Sequence, residues 1–313
     1  MRTRGLVLFS SLLLLSSTAE TATNTVFNFL RSDIGARPGA LAGSFVAMTD
    51  DPSTLFYNPA ALGTLTAPRI SVSFLKNLLD VNAGSLVYGE SFGDLGTFGA
   101  GIIYQNYGSF TETDEVGNAL GTFGASDLAF EVGYSNVLDN NLYYGVGLKF
   151  IYSSLAGYSS TAIAGDAGIF YVIPESRIAI GVSIRNAGKQ LSTYIGASED
   201  LPLDIAVGMS VTPKGIPLLL NLGFRKLNQS VTTFAERFRS FMVGGEFTLS
   251  RVLQLRVGYD NEQRRDLILG STSGLTGFSI GLGININRYR VDYALSSLGN
   301  IGSLHRVSLS FGF

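Results

Sequence analysis

From about Arg69 to the end of the chain, apolar residues recur at every second position, segment after segment. Ile178, Ile180, Val182 and Ile184 alternate with Ala179, Gly181, Ser183 and Arg185. The same rule sets Leu142, Tyr144, Val146, Leu148 and Phe150 against Tyr143, Gly145, Gly147 and Lys149. It also sets Phe278, Ile280, Leu282, Ile284 and Ile286 against Ser279, Gly281, Gly283, Asn285 and Asn287. Period two is the spacing of a strand whose faces meet different surroundings, so each segment predicts a strand with one greasy face and one small or polar face.

Fourteen such segments are predicted, near 69–76, 82–92, 97–110, 125–138, 141–154, 160–173, 177–189, 203–213, 216–227, 240–250, 252–260, 276–287, 289–298 and 303–313. Many are longer than soluble strands and long enough to cross a bilayer at a tilt. Connections alternate between tight turns, such as Asp139 to Asn141 and Asn287-Arg288, and longer pieces near 109–126, 188–202, 228–239, 261–274 and 296–303. That alternation fits a transmembrane antiparallel β-barrel with short turns on the periplasmic side and loops outside, and an even strand count puts both chain ends on the periplasmic side. Aromatics near segment ends, among them Tyr104, Tyr107, Phe110, Tyr152 and Tyr158, suit an interfacial girdle. The last segment sets Val307, Leu309, Phe311 and Phe313 on one face, a pattern resembling the C-terminal signal read by the outer-membrane assembly machinery.

Composition agrees. Charged residues are 15% of the 313, with 38 glycines, 21 Phe, 14 Tyr and no Trp. A net charge of −2 without a basic cluster leaves no footprint for nucleic acid. With no cysteine, disulfides, thiolate metal sites, cysteine nucleophiles and lipoprotein processing are excluded. Arg2 and Arg4, the apolar run Leu6 to Leu15, and the small residues Ser17-Thr18-Ala19 predict a signal peptide over 1–19. The apolar run is too short to span a membrane as a helix.

Residues 20–68 differ from the rest. Phe27-Asn28-Phe29-Leu30, Gly35-Ala36-Arg37, Ala40-Leu41-Ala42-Gly43, Asp50-Asp51-Pro52 and Tyr57-Asn58-Pro59-Ala60 are rich in small residues and turn formers. They predict a luminal plug ahead of a barrel over 69–313, with a periplasmic arm as the alternative. Tyr57 to Ala60 is read equally as a turn into the first strand and as a gate.

Little here suggests catalysis. His305, the only histidine, sits on an outward face without the partners of a triad or a metal site. Asp50 and Asp51, like Glu112, Asp114 and Glu115, lack the spacing of a calcium loop. The Gly-x-Gly stretches belong to strands and do not open helices, so no phosphate cradle is expected. No enzyme activity, cofactor or metal is expected.

The N-terminal motifs resemble those of FadL-like barrels and, more closely, of the PorV/PorQ family: Ala36, Arg37, Gly43, Asp50, Asp51, Asn58, Pro59 and Ala60 carry them. Tyr107 to Asn118, Gly121-Thr122-Phe123 with Asp127, Leu148 to Ser153, Arg185 to Leu191, Leu201 to Asp204 and Gly274 to Ser279 extend the resemblance over nearly the whole mature chain, towards its PorQ branch. The resemblance implies a non-enzymatic component of the type IX secretion system, in lipid, with PorU-, PorV- and PorZ-like partners at a cell-surface attachment complex. Partner contact is then expected in the loops, at Glu112, Asp114, Glu115, Asn118, Arg264 and Arg265. The alternative is a FadL-like channel for hydrophobic small molecules.

Overall fold

A computed structural model describes residues 25–229, 231, 233–267 and 274–313; the signal peptide expected over 1–19 lies outside them. Fourteen antiparallel strands follow one another round a closed barrel. They are β1 Arg69–Lys76, β2 Asn82–Ser91, β3 Thr97–Thr113, β4 Ala119–Asp139, β5 Leu142–Leu155, β6 Tyr158–Ile173 and β7 Ile178–Ser192. The remainder are β8 Asp204–Val211, β9 Leu218–Phe224, β10 Phe241–Thr248, β11 Leu253–Asp260, β12 Phe278–Ile286, β13 Tyr289–Ser297 and β14 Ser303–Gly312. The seam pairs β1 with β14, from Arg69 opposite Gly312 to Lys76 opposite His305. The sheet is thereby closed on itself, the condition for its membrane-crossing part to sit in lipid without a free edge.

The alternation resolves into two faces. Ile180, Ile184, Val146, Leu148, Ile280 and Leu282 point outward and are exposed, whereas Ala179, Ser183, Gly181 and Lys149 are buried on the inner face. A greasy exterior round a small, polar interior is the reverse of a soluble barrel and suits a lipid surround. Among the described residues, no helix is long and apolar enough to cross a membrane.

The strands are unequal in length. β4 has 21 residues and β3 17, while β9 has 7. The piece expected as a loop over 109–126 is therefore mostly strand: β3 and β4 continue past a bulge at Asn106/Ser109 and meet in a turn over 114–118. Glu112 accordingly stands on β3 and not in a loop. Its exposure on both faces removes the alternation by which a strand is recognised. Likewise β7 runs on to Ser192, shortening the loop expected from Gly188. We call the end of the barrel that carries residue 68 and Phe313 the terminal end, and the opposite one the far end.

Candidate functional site

Residues 27–65 lie against the inner faces of the strands, and their local structure comes from two Asx-Pro steps. Asp51 accepts a hydrogen bond from the Ser53 amide at 3.0 Å and caps a 3₁₀ turn over Pro52–Phe56. Asn58 does the same for Pro59–Thr64, accepting from the Ala60 amide at 3.1 Å. Proline just after each cap fits because its missing N–H is one the turn leaves unpaired anyway. The Asn-Pro-Ala box is thus a capped turn. The Asn58 Nδ2 also donates to the Val46 carbonyl at 3.1 Å and the Ile169 carbonyl of β6 at 3.3 Å, tying it to the wall.

Room for this segment comes from glycine. On eleven consecutive strands, β2 to β12, an inward-facing glycine touches it: Gly89, Gly99, Gly133, Gly145, Gly168, Gly181, Gly208, Gly223, Gly244, Gly258 and Gly281. A Cβ at Gly145 would stand 2.3 Å from the Ala60 amide nitrogen, and one at Gly258 2.6 Å from the Ala40 carbonyl oxygen. The segment thus lies directly on the sheet round most of the inner circumference, with its backbone against Gly145, Gly181, Gly208, Gly244 and Gly258. Gly43 turns with φ 75, and a Cβ there would meet the Asp33 carboxylate. Ala36, in the short helix α1 (Ala36–Ala40), is fully buried and donates its amide to Ser308 Oγ at 2.8 Å.

Towards the terminal end, six charges close a ring. Arg37 Nη1 lies 2.9 Å from Asp51 Oδ2, Arg290 Nη2 2.7 Å from the same oxygen, and Arg290 Nε 2.8 Å from Asp292 Oδ2. Arg256 Nη1 then lies 2.6 Å from Asp292 Oδ1 and its Nε 2.5 Å from Glu246 Oε2, which returns to Arg37 Nε at 2.9 Å. Three guanidinium groups alternate with three carboxylates, so the ring is neutral and every buried charge has two opposite neighbours, the arrangement that buried ions require. Burial opposes ionisation of Asp51, but Arg290 and Arg37 outweigh it and hold its carboxyl far below the ordinary range. Asp50, beside it, pairs instead with Arg69 at 3.2 Å. A polar cavity of about 470 Å³ opens next to the ring, lined by Arg69, Gln254, Asn285 and Arg288 among others.

The far half of the interior is different. Phe27, Phe29, Leu30 and Ile34 pack on Leu75, Ala83, Ile103, Ala129, Ile151 and Ala162 of β1 to β6 in one buried apolar cluster. Phe27 also lines a cavity of about 450 Å³ at the far end, with Tyr107, Phe110, Phe123, Ala125, Leu155 and Tyr194. Phe110 and Phe123 stack with centroids 5.3 Å apart. On the floor Tyr107 Oη donates to Asp127 at 2.6 Å, and the Ser153 and Tyr194 hydroxyls complete the chain of hydrogen bonds. Between these zones Lys149 lies 3.1 Å from Asp166 and 3.3 Å from Glu131, and Arg185 pairs with Asp204 while donating to the Phe56 carbonyl.

The sequence-predicted residues are therefore separated. Ala36, Arg37, Gly43, Asp51, Asn58, Pro59 and Ala60 come together inside the barrel. Val307, Leu309 and Phe313 face outward, 47%, 50% and 59% exposed, with Phe311 packed between Tyr289 and Phe313. Glu112, Asp114, Glu115 and Asn118 sit at the top of the β3–β4 ribbon, where Asp114 accepts from the Val116 and Asn118 amides and holds the turn. Arg264 and Arg265 lie on a short helix α2, Asn261–Asp266. His305 hydrogen-bonds Tyr293 Oη at 2.7 Å on the outside. The ring partners Glu246, Arg256, Arg290 and Asp292 escaped the sequence reading; the available signal was a charge on the inward face of an otherwise small-residue strand.

Comparison with known proteins places this architecture. The toluene transporter TbuX of Ralstonia pickettii aligns with a TM-score of 0.63 at 14% identity, over 92% of this chain and 100% of that one. The toluene transporter TodX of Pseudomonas putida aligns at 0.61 and 13% identity, over 88% and 96%. A FadL homologue of Pseudomonas aeruginosa aligns at 0.59 and 11%, over 90% and 98%. The fold is the one these three proteins share. At such identity the likeness concerns the fold, and the PorV/PorQ affinity stays a resemblance of motifs. The chain matches no protein-family profile and no curated protein sequence.

Proposed function

We propose that this FadL-like barrel admits apolar small molecules from the far end, with residues 27–65 as the plug that closes its lumen. The observation that carries the reading is the apolar tract shared through Phe27: the open cavity at the far rim continues into a buried cluster of aliphatic and aromatic side chains. A water-filled porin lumen would be polar there. Few, convergent polar groups on an apolar lining are the usual make-up of a small-molecule site. In this reading the protein is not an enzyme, both chain ends are periplasmic, and Val307, Leu309, Phe311 and Phe313 guide assembly. The solved neighbours named as toluene transporters support the ligand class. Uptake of labelled toluene by cells expressing the protein tests it, with Phe123→Asp as the blocked variant. Uptake equal to that of cells without the gene would refute the proposal.

The second reading is a secretion-complex barrel, favoured by one observation: the 107–118 motif stands on a ribbon clear of its neighbours. Pull-down from membranes of the native host decides it, and failure to recover PorU-, PorV- or PorZ-like proteins would sink it.

A further inference from the structure

The ladders place an unpaired strand edge on the outside of the molecule. β2 reaches only Asn82 opposite Asn106, and β5 only Leu155 opposite Ala125, so residues 109–123 of β3 and β4 have only each other as ladder partners. The Gly124 carbonyl accepts from the Ala156 amide, so it points away from β3. In an antiparallel pair the outward-pointing groups recur at every second residue. Thr122 therefore turns its N–H and C=O groups outward as well, and Gly124 its N–H, with no neighbouring strand to receive them, up to the bulge at Leu120 where the alternation ends. Leu120 is 65% exposed and Val116 82%, so nothing covers this edge.

Charge says what would fit there. Between Lys76 and Lys149 the chain has no Lys or Arg, and at this end of the barrel that stretch carries Asp80, Glu112, Asp114 and Glu115. Glu112 and Glu115 flank the ribbon tip and form no ion pair among the described residues. Asp114 is spent on the turn itself. Acidic side chains on an edge repel neutral self-pairing and acidic strands, and the same charge attracts a cationic one.

We propose that the outer edge of the β3–β4 ribbon, at Thr122 to Gly124, binds an extended basic segment of a partner protein by strand addition. Main-chain hydrogen bonds to Thr122 and to the Gly124 N–H give the affinity, and Glu112 and Glu115 select the charge. The inference is independent of what the lumen carries.

The test uses the full-length protein in detergent and a fluorescein-labelled peptide of alternating lysine and valine, read by anisotropy. Two control peptides replace lysine with glutamate, or valine with proline at unchanged charge. The lysine–valine peptide is expected to bind at least about tenfold more tightly than either control. Thr122→Pro, which removes an outward N–H unused by β3, is expected to abolish that preference. Glu112→Gln with Glu115→Gln is expected to weaken binding and flatten its salt dependence. Hydrogen exchange is expected to slow at the Thr122 and Gly124 amides on binding. Equal binding of the proline peptide, unchanged binding to Thr122→Pro in a barrel that still shows heat-modifiable mobility, or no binding of the lysine–valine peptide would each overturn the proposal.

Discussion

Arg37 and Glu246, 209 positions apart in the chain, are joined by two parallel hydrogen bonds of 2.9 Å, from Nε to Oε2 and from Nη2 to Oε1. This two-pronged contact fastens the N-terminal segment to β10, and planar pairing of this kind is the strongest form of charged hydrogen bond. Glu246→Gln leaves Arg37 and Arg256 short of a counter-charge inside the barrel. The expected loss is about 3 to 5 kcal/mol of unfolding free energy, because a buried charge is left uncompensated. Urea unfolding in detergent micelles measures it. Replacing Glu246 and Arg256 together with methionine leaves Arg37, Asp51, Arg290 and Asp292 as alternating opposite charges and is expected to lose less than the single change.

Acid tests the same ring. The folded pKa of Asp51 is depressed, so its contribution is complete above the unfolded value of about 3.9 and is lost only as pH falls through the lower folded value. Attachment of the segment, followed by tyrosine fluorescence, is expected to persist at about pH 4 and fail in stronger acid. In Asp51→Asn attachment is expected to be weaker at neutral pH, the difference from the unaltered protein closing in strong acid where Asp51 itself is neutral.

At Gly145 the limit is steric. Gly145→Ala is expected to destabilise by about 1 to 3 kcal/mol, since the new methyl meets the backbone of Ala60 and has nowhere to relax. Gly245→Ala serves as the control, because a Cβ there finds only ordinary contacts at 3.6 Å and beyond. Melting of the two variants by circular dichroism separates them.

Asn58→Ala removes the cap on Ala60 and the donor to Val46 and Ile169. A cost of about 1 to 2 kcal/mol is expected from the cap and the orphaned carbonyls. Because the box is a turn anchor, proteolytic cleavage within 27–65 is expected to speed up more than barrel unfolding, which limited proteolysis followed by mass spectrometry checks.

Much of the fold was legible because lipid and lumen impose opposite demands on neighbouring residues. Ile178 to Ile184 announces both a strand and its outward face, and repetition of that pattern yields the strand number. The height of the β3–β4 ribbon was hidden for the converse reason: Glu112, Leu120 and Gly121 are all exposed, so no alternation marks them as strand. The ionic ring was hidden by distance, since nothing local to Arg37 points to Glu246 or Arg290. The inward glycines were legible as a small face, but their purpose depends on which backbone lies against them, and Gly145 meets Ala60 only after the barrel has closed.

The inequality of the strands has a consequence for how the molecule sits in its membrane. A wall that is tall at β3 to β7 and low at β8 to β14 gives the barrel a front and a back in the membrane plane. Its upper rim is slanted, so a visiting protein meets a cliff from one compass direction and a level shore from the other.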